Sequence, residues 1–255
     1  MSEVLITLVI IGVIAAITVP ILMHQYRWKQ YRTGLMKARS TLDQAVLKYT
    51  FEYGENPECG YWAVNPYKDK CTSVCKGYDS NGNCTGSMCK EDGSTVPYDY
   101  FGNFNGCGGL YNHFKKAMNV VKVCDSNAYS NGCIPEYEGN DTIYKSKNDG
   151  VSDTDANKAT AGCIGWRKEK IKTDKAFVTA DGMIFFPYNN FSAPIMAVDV
   201  NGQAGPNKWG YDVNSFVLKM SDFTSQPYWD AGSVCNVVDK GGVTAGELLY
   251  GKNYM

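Results

Sequence analysis

Histidine is nearly missing from this 255-residue chain, which has only His24 and His113. The first falls at the end of a long apolar run and the second in a cysteine-rich region, so no Ser, His and Asp set for acyl transfer is suggested. Walker and Rossmann glycine motifs are also absent. No Cys-x-x-Cys pair occurs, although there are ten cysteines. This excludes covalent haem on Cys-x-x-Cys-His at motif level and argues against a zinc site built from Cys71, Cys75, Cys84 and Cys89. An excess of positive charge is lacking too: a net charge of -1 gives no broad basic surface, and nucleic acid is not an expected partner. The last absence is the most informative, because no residue between Val4 and Met23 is charged.

About 20 helical residues at about 1.5 Å each span about 30 Å, the hydrocarbon thickness of a bilayer. Glu3 stands just before this run with no Lys or Arg beside it. An acidic side chain at membrane depth costs about 3 kcal/mol, so this carboxylate calls for a cation, and the nearest is the terminal amine of another chain. A secretory signal peptide would need a basic n-region and a small-x-small cleavage site, and neither is present. An ordinary transmembrane anchor satisfies the apolar length equally well. A soluble core helix fits poorly, since few domains of this size bury a helix that is apolar on every face. Arg27, Lys29, Arg32, Lys37 and Arg39 all follow the run, which by the positive-inside rule would hold the rest of the chain in the cytoplasm. The cysteines, Cys59, Cys71, Cys75, Cys84, Cys89, Cys107, Cys124, Cys133, Cys163 and Cys235, argue the opposite: an even set of disulfide candidates belongs in an oxidising compartment, though spacing does not fix their pairing.

Ser2-Glu3-Val4-Leu5-Ile6-Thr7-Leu8, with Gly12 and Pro20 at matching distances from the acid, resembles the N-terminus of type IV pilins and the related pseudopilins of type II secretion. In that family a methylated Phe and Thr-Leu-x-Glu precede the apolar helix. Here only two residues precede Glu3, so a truncated or misassigned start and a lost basic leader are expected. The resemblance covers residues 2 to about 50. It implies an α+β, type IV pilin-like fold: a long N-terminal helix packed on an antiparallel β-sheet head with a disulfide-rich, loop-rich insertion. It further implies self-assembly into a helical homopolymer through Glu3, Gly12 and Pro20, with storage in the inner membrane, processing by a prepilin peptidase, and export by pilus assembly machinery to an extracellular pilus on the bacterial surface. A pseudopilin of a secretion piston and a monomeric membrane-anchored adhesive or binding protein remain as alternatives.

Beyond Pro20 the helix is expected to continue to about Tyr53, because Leu35, Ala38, Leu42, Ala45, Val46 and Tyr49 recur at three- and four-residue spacing with Lys37, Arg39, Asp43 and Lys48 between them. The expected division is therefore a helix over 1-53, apolar over 1-23 and amphipathic over 24-53, and a head over 54-255. Within the head, 54-165 is cysteine-rich and short of apolar runs, so loops and short helices braced by disulfides are expected. Leu110 to Val123 reads as one short helix. Asn140-Asp141-Thr142 forms a glycosylation sequon at Asn140, as do Asn83-Cys84-Thr85 and Asn190-Phe191-Ser192, all of a kind that arises readily by chance. In 166-255, Phe177 to Tyr188 reads as a hairpin around Asp181-Gly182, Pro194 to Val200 as a third strand and Phe216-Val217-Leu218 as a fourth. Ala245 to Met255 carries no clear assignment.

Asp199 to Asp212 is a glycine-rich segment with oxygen-bearing side chains at alternate positions, the donor type a hard cation such as Ca2+ requires. Asp199, Asn201 and Asp212 are the candidate ligands. The EF-hand pattern fails, with Ala204 at its Gly position and Gly210 at its closing Glu, and a tight Asx turn without metal explains the segment equally well. No other cofactor is implied. The expectation is a structural subunit and not an enzyme.

Overall fold

The computed structural model describes residues 2–53, 70–78, 85–96, 108–188, 194–220, 227–231, 235 and 237–251, leaving out the side chains of 2, 3, 5, 108, 109, 219, 220 and 227–229. Helix α1, Ser2–Tyr53, runs unbroken through Gly12 and Pro20. Its second half buries Tyr31, Leu35, Ala38, Leu42, Ala45 and Val46 along one stripe, as the three- and four-residue spacing requires. Gly54 and Pro57, the pair that would suit a helix stop just beyond Tyr53, lie outside the described residues.

The cysteine-rich region begins with a hairpin of β1, Ser73–Cys75, and β2, Ser87–Cys89, closed by the Cys71–Cys89 disulfide. Helix α2, Gly108–Ala117, then gives way to strand β3, Val120–Cys124. The expected single helix over Leu110 to Val123 is thus corrected. Val120, Val121 and Val123 are β-branched and suit an extended backbone, and strand β4, Ala176–Thr179, pairs antiparallel with them. Three short helices, α3 at Asn140–Lys147, α4 at Asp153–Ala159 and α5 at Lys168–Thr173, follow β3, with a 3-10 segment at Ala161–Trp166.

Strands β5, Ile184–Pro187, β6, Ile195–Asp199, β7, Val213–Met220, and β8, Pro227–Asp230, complete a six-stranded antiparallel meander in the order β3-β4-β5-β6-β7-β8. The hairpin around Asp181-Gly182 and the next two strands are as expected; β3 and β8 enlarge the sheet on either side. Helix α6, Ala245–Tyr250, follows a capping box in which the Thr244 side chain accepts from the Glu247 amide and the Glu247 carboxylate accepts from the Thr244 amide.

Both faces of the sheet are covered, which explains why β5 and β6 are buried at every position. Phe177, Phe185, Met196, Val198, Phe216 and Leu218 face α1, α2 and α6, whereas Ile184, Phe186, Ile195, Ala197, Val213 and Val217 face Tyr137, Ile143, Trp166 and Trp209. The period-2 alternation of a strand therefore divides two apolar cores instead of separating core from solvent. Disulfides Cys124–Cys133 and Cys163–Cys235 brace the second side, and Cys75 is also disulfide-bonded. Cys59, Cys84 and Cys107 lie outside the described residues.

Candidate functional site

Among the described residues, nothing covers the first half of α1. Val4, Leu8, Ile11, Ile17 and Leu22 are each more than half exposed, and the most apolar stretch of the helix is wholly unburied while being long enough to cross a membrane. Between Val4 and Met23 the two hydroxyls are satisfied locally: Thr7 Oγ1 donates to the Val4 carbonyl at 2.9 Å and Thr18 Oγ1 to the Ile14 carbonyl at 2.8 Å. They therefore add no polar group that needs water. Pro20 lacks an amide hydrogen, so it leaves the carbonyl four residues earlier without its helical donor. Gly12 meets no other atom closely and lies on the same bare rod. The side chain of Glu3 is outside the described residues.

Where the rod enters the head, α1 meets the β6–β7 connection. A Cβ added to Gly34 would lie 2.8 Å from Val200 Cβ, so the missing side chain allows the helix to approach this closely. Six residues earlier on α1, Trp28 stacks on Tyr211 with ring centroids 5.2 Å apart. A cleft of about 650 Å³ opens beside them, lined by Arg27, Gln30 and Tyr31 of the helix and by Val200, Asn201 and Pro206 of the loop.

The loop itself is held by its two carboxylates, both fully buried. Asp199 Oδ1 accepts from the Asn201 and Gly202 amides at 3.2 and 2.9 Å, and Oδ2 accepts from the Tyr137 hydroxyl at 2.7 Å. Asp212 accepts from the Asn207 and Lys208 amides at 2.9 and 2.8 Å. Burial pushes the Asp199 carboxyl up to about 8, with the neighbouring Asp212 charge acting in the same direction against the Tyr137 hydrogen bond. The Asp212 carboxyl is raised as well, chiefly by burial and against the pull of those loop amides. Asn201 Oδ1 and Asn207 Oδ1 are buried without a hydrogen-bond partner.

Sequence reasoning thus selected three residues that the fold brings to one loop. The donor set fits a hard cation in kind: two carboxylates within electrostatic reach of each other, and two unpartnered amide oxygens. The same carboxylates also serve as Asx-turn acceptors, so the two explanations of the segment are not exclusive. Among the described residues no cluster of three or more His, Cys, Asp or Glu is placed to hold a metal. Tyr137 was not legible as a partner, since it lies 62 residues from Asp199. Trp209 was missed too; its indole nitrogen donates to the Glu138 carbonyl at 2.8 Å and its amide to Asp239 Oδ2 at 2.8 Å.

Asn140 is buried, and its side-chain nitrogen donates to the Cys163 carbonyl at 2.8 Å. A glycan would need that nitrogen, so in this fold Asn140 serves as an internal tie. The sequon residues Asn83 and Asn190 lie outside the described residues. His113 is buried between α1 and α2, with Nδ1 3.3 Å from Glu52 Oε2, and burial holds its imidazole below the usual range. It acts there as a packing residue.

In comparisons with known proteins, no family model, no curated protein and no solved structure matches the chain. The class is therefore defined by architecture: a long N-terminal apolar helix packed on an antiparallel sheet with several disulfides. That is the coarse plan of a pilin.

Proposed function

We propose that this chain is a structural subunit that polymerises through its N-terminal helix into an extracellular, type IV pilus-like filament. The observation that carries this reading is the contrast within α1. The second half lays an apolar stripe on one face of the sheet, while the first half is, among the described residues, a bare apolar rod. Each large apolar side chain taken from water contributes about 1.5–3 kcal/mol, so a bundle of such rods gains more than enough to hold a polymer together.

Before assembly the bilayer would cover the rod; afterwards, copies of the same rod would. Glu3, paired with a neighbour's terminal amine, would set the axial register. Gly12 and Pro20 would permit local loss of helicity as rods pack. Processing by a prepilin peptidase and extraction by an inner-membrane assembly machinery belong to the same reading. So does a calcium ion bound by Asp199, Asn201 and Asp212, which would fix the β6–β7 loop against α1. No catalytic role is assigned to any residue.

Electron microscopy of material sheared from producing cells tests the polymer. Long surface filaments are expected, and Glu3→Ala should suppress them while leaving the subunit in the membrane. Fibres confined to the periplasm would favour the secretion pseudopilin. A chain that stays solitary after removal from the membrane would overturn polymerisation in favour of an anchored monomer.

A further inference from the structure

Five basic residues follow the apolar run, and the fold uses three of them internally. Lys37 Nζ lies 2.7 Å from Asp181 Oδ2, Arg39 Nε lies 3.7 Å from Asp43 Oδ2, and Arg32 donates to the Leu249 carbonyl at 3.1 Å. The two nearest the rod, Arg27 and Lys29, make no ion pair among the described residues. Among the described residues Arg27 is also the only charged one lining the cleft between α1 and the β6–β7 loop, where Gln30 and Tyr31 supply further hydrogen-bond donors. The carboxylates behind the loop, Asp199 and Asp212, are fully buried and already accept from its backbone amides.

The height of the cleft indicates what would fill it. Arg27 follows Met23 by four residues, which is about 6 Å of helix. The headgroup layer on each side of a bilayer is about 5–8 Å thick. Tyr26 and Trp28 occupy the same turn, the level at which amphipathic aromatic rings collect in membrane proteins.

We propose that the Arg27 cleft seats the phosphate of a membrane phospholipid headgroup while the rod is inserted in the bilayer. The guanidinium would donate to the phosphate oxygens, Gln30 and Tyr31 would complete the contact, and the head would be held at a fixed height and rotation over the membrane. The basic residues that obey no positive-inside rule thereby gain a role on the outer face. The proposal rests on the reading of α1 as membrane-inserted before assembly.

The test uses the full chain in neutral detergent, with retained adducts counted by native mass spectrometry. The probes are dioctanoyl-phosphatidylglycerol, dioctanoylglycerol, which has no phosphate, and inorganic phosphate. Phosphatidylglycerol should be retained well above dioctanoylglycerol, and inorganic phosphate should neither bind nor compete. A basic group at a headgroup is worth about fivefold in affinity, so Arg27→Gln should lower phosphatidylglycerol retention by about that factor. Lys158→Gln, on α4, should leave it unchanged, and matched thermal midpoints would show that all variants fold. Equal retention of the two lipids, undiminished retention by Arg27→Gln, or equally tight binding of inorganic phosphate would each overturn the proposal. Lipid selectivity without filaments would remove the polymer reading and leave this one standing; filaments without selectivity would do the reverse.

Discussion

The Tyr137 hydroxyl donates to Asp199 Oδ2 at 2.7 Å, joining the cysteine-rich region to the last residue of β6 inside a fully buried contact. This bond lowers the cost of placing a carboxyl group in the core. Tyr137→Phe would remove the donor and leave that oxygen unpaired, a change worth about 1–3 kcal/mol. Thermal unfolding should show the loss, and it should be larger at alkaline pH, where the unpaired group is more often charged.

The raised carboxyl of Asp199 has a defined pH consequence. Its folded value of about 8 lies above the ordinary carboxylate value, so the folded state holds the proton more tightly than the unfolded chain does. Its contribution to stability is therefore fully present at acid pH and falls as pH rises from about 4 towards about 8. Comparison with Asp199→Asn isolates the effect: wild type should lose ground to the variant across that interval. A difference that does not vary with pH would show that Asp199 keeps an ordinary carboxyl.

Calcium should reverse that trend. A bound cation stabilises the ionised form of both carboxylates, and a ligand at about a hundred times its dissociation constant adds about 2.7 kcal/mol. Millimolar calcium should raise the unfolding midpoint at alkaline pH, a chelator should lower it, and Asp212→Asn should abolish the response. An unchanged midpoint would leave the loop as an Asx turn alone.

Gly34 is set against Val200 so closely that even one methyl group must displace one of them. Gly34→Ala gains helix propensity but overpacks this crossing, and overpacking costs about 1–3 kcal/mol. The predicted sign is destabilising, read from the thermal midpoint, with Gly34→Val worse than Gly34→Ala.

The disulfides should differ in worth. Cys163 and Cys235 are separated by 72 residues and Cys124 and Cys133 by nine. The chain-entropy argument assigns the longer loop about 4 kcal/mol and the shorter about 2.5 kcal/mol. Serine pairs at each bridge, compared by denaturant unfolding, should reproduce that order.

How much of this was legible depended on how local each signal was. The Asp181-Gly182 hairpin and the stripe from Leu35 to Val46 announce themselves, because turn chemistry and helical spacing act within a few residues. The α6 capping box at Thr244 and Glu247 was equally local and could have been found by its spacing. Strand β3 was not: Val120 to Val123 follow a genuine helix, and only β4, more than fifty residues later, supplies the ladder that makes them a strand. In the candidate loop, Asp199, Asn201 and Asp212 stood out by composition, whereas Tyr137 and Gly34 belong to segments that meet the loop only after folding, and Trp209, inside the loop, finds its partners Glu138 and Asp239 outside it.

By itself the sequence determined that a charge-free helix of membrane length begins the chain and that an amphipathic continuation follows, since both are properties of side-chain order along one helix. The expectation that the cysteine-rich region is held by disulfides in place of burial is corrected by the fold, which buries Tyr111, Phe114, Tyr137 and Ile143 of that region in its two cores. Only the tertiary structure decided that the sheet has two covered faces, that both acids of the Asp199–Asp212 loop are buried, and that of five basic residues the pair nearest the rod makes no ion pair among the described residues. Those outcomes depend on which distant segments come to share a dielectric and a hydrogen bond, and that is settled by packing.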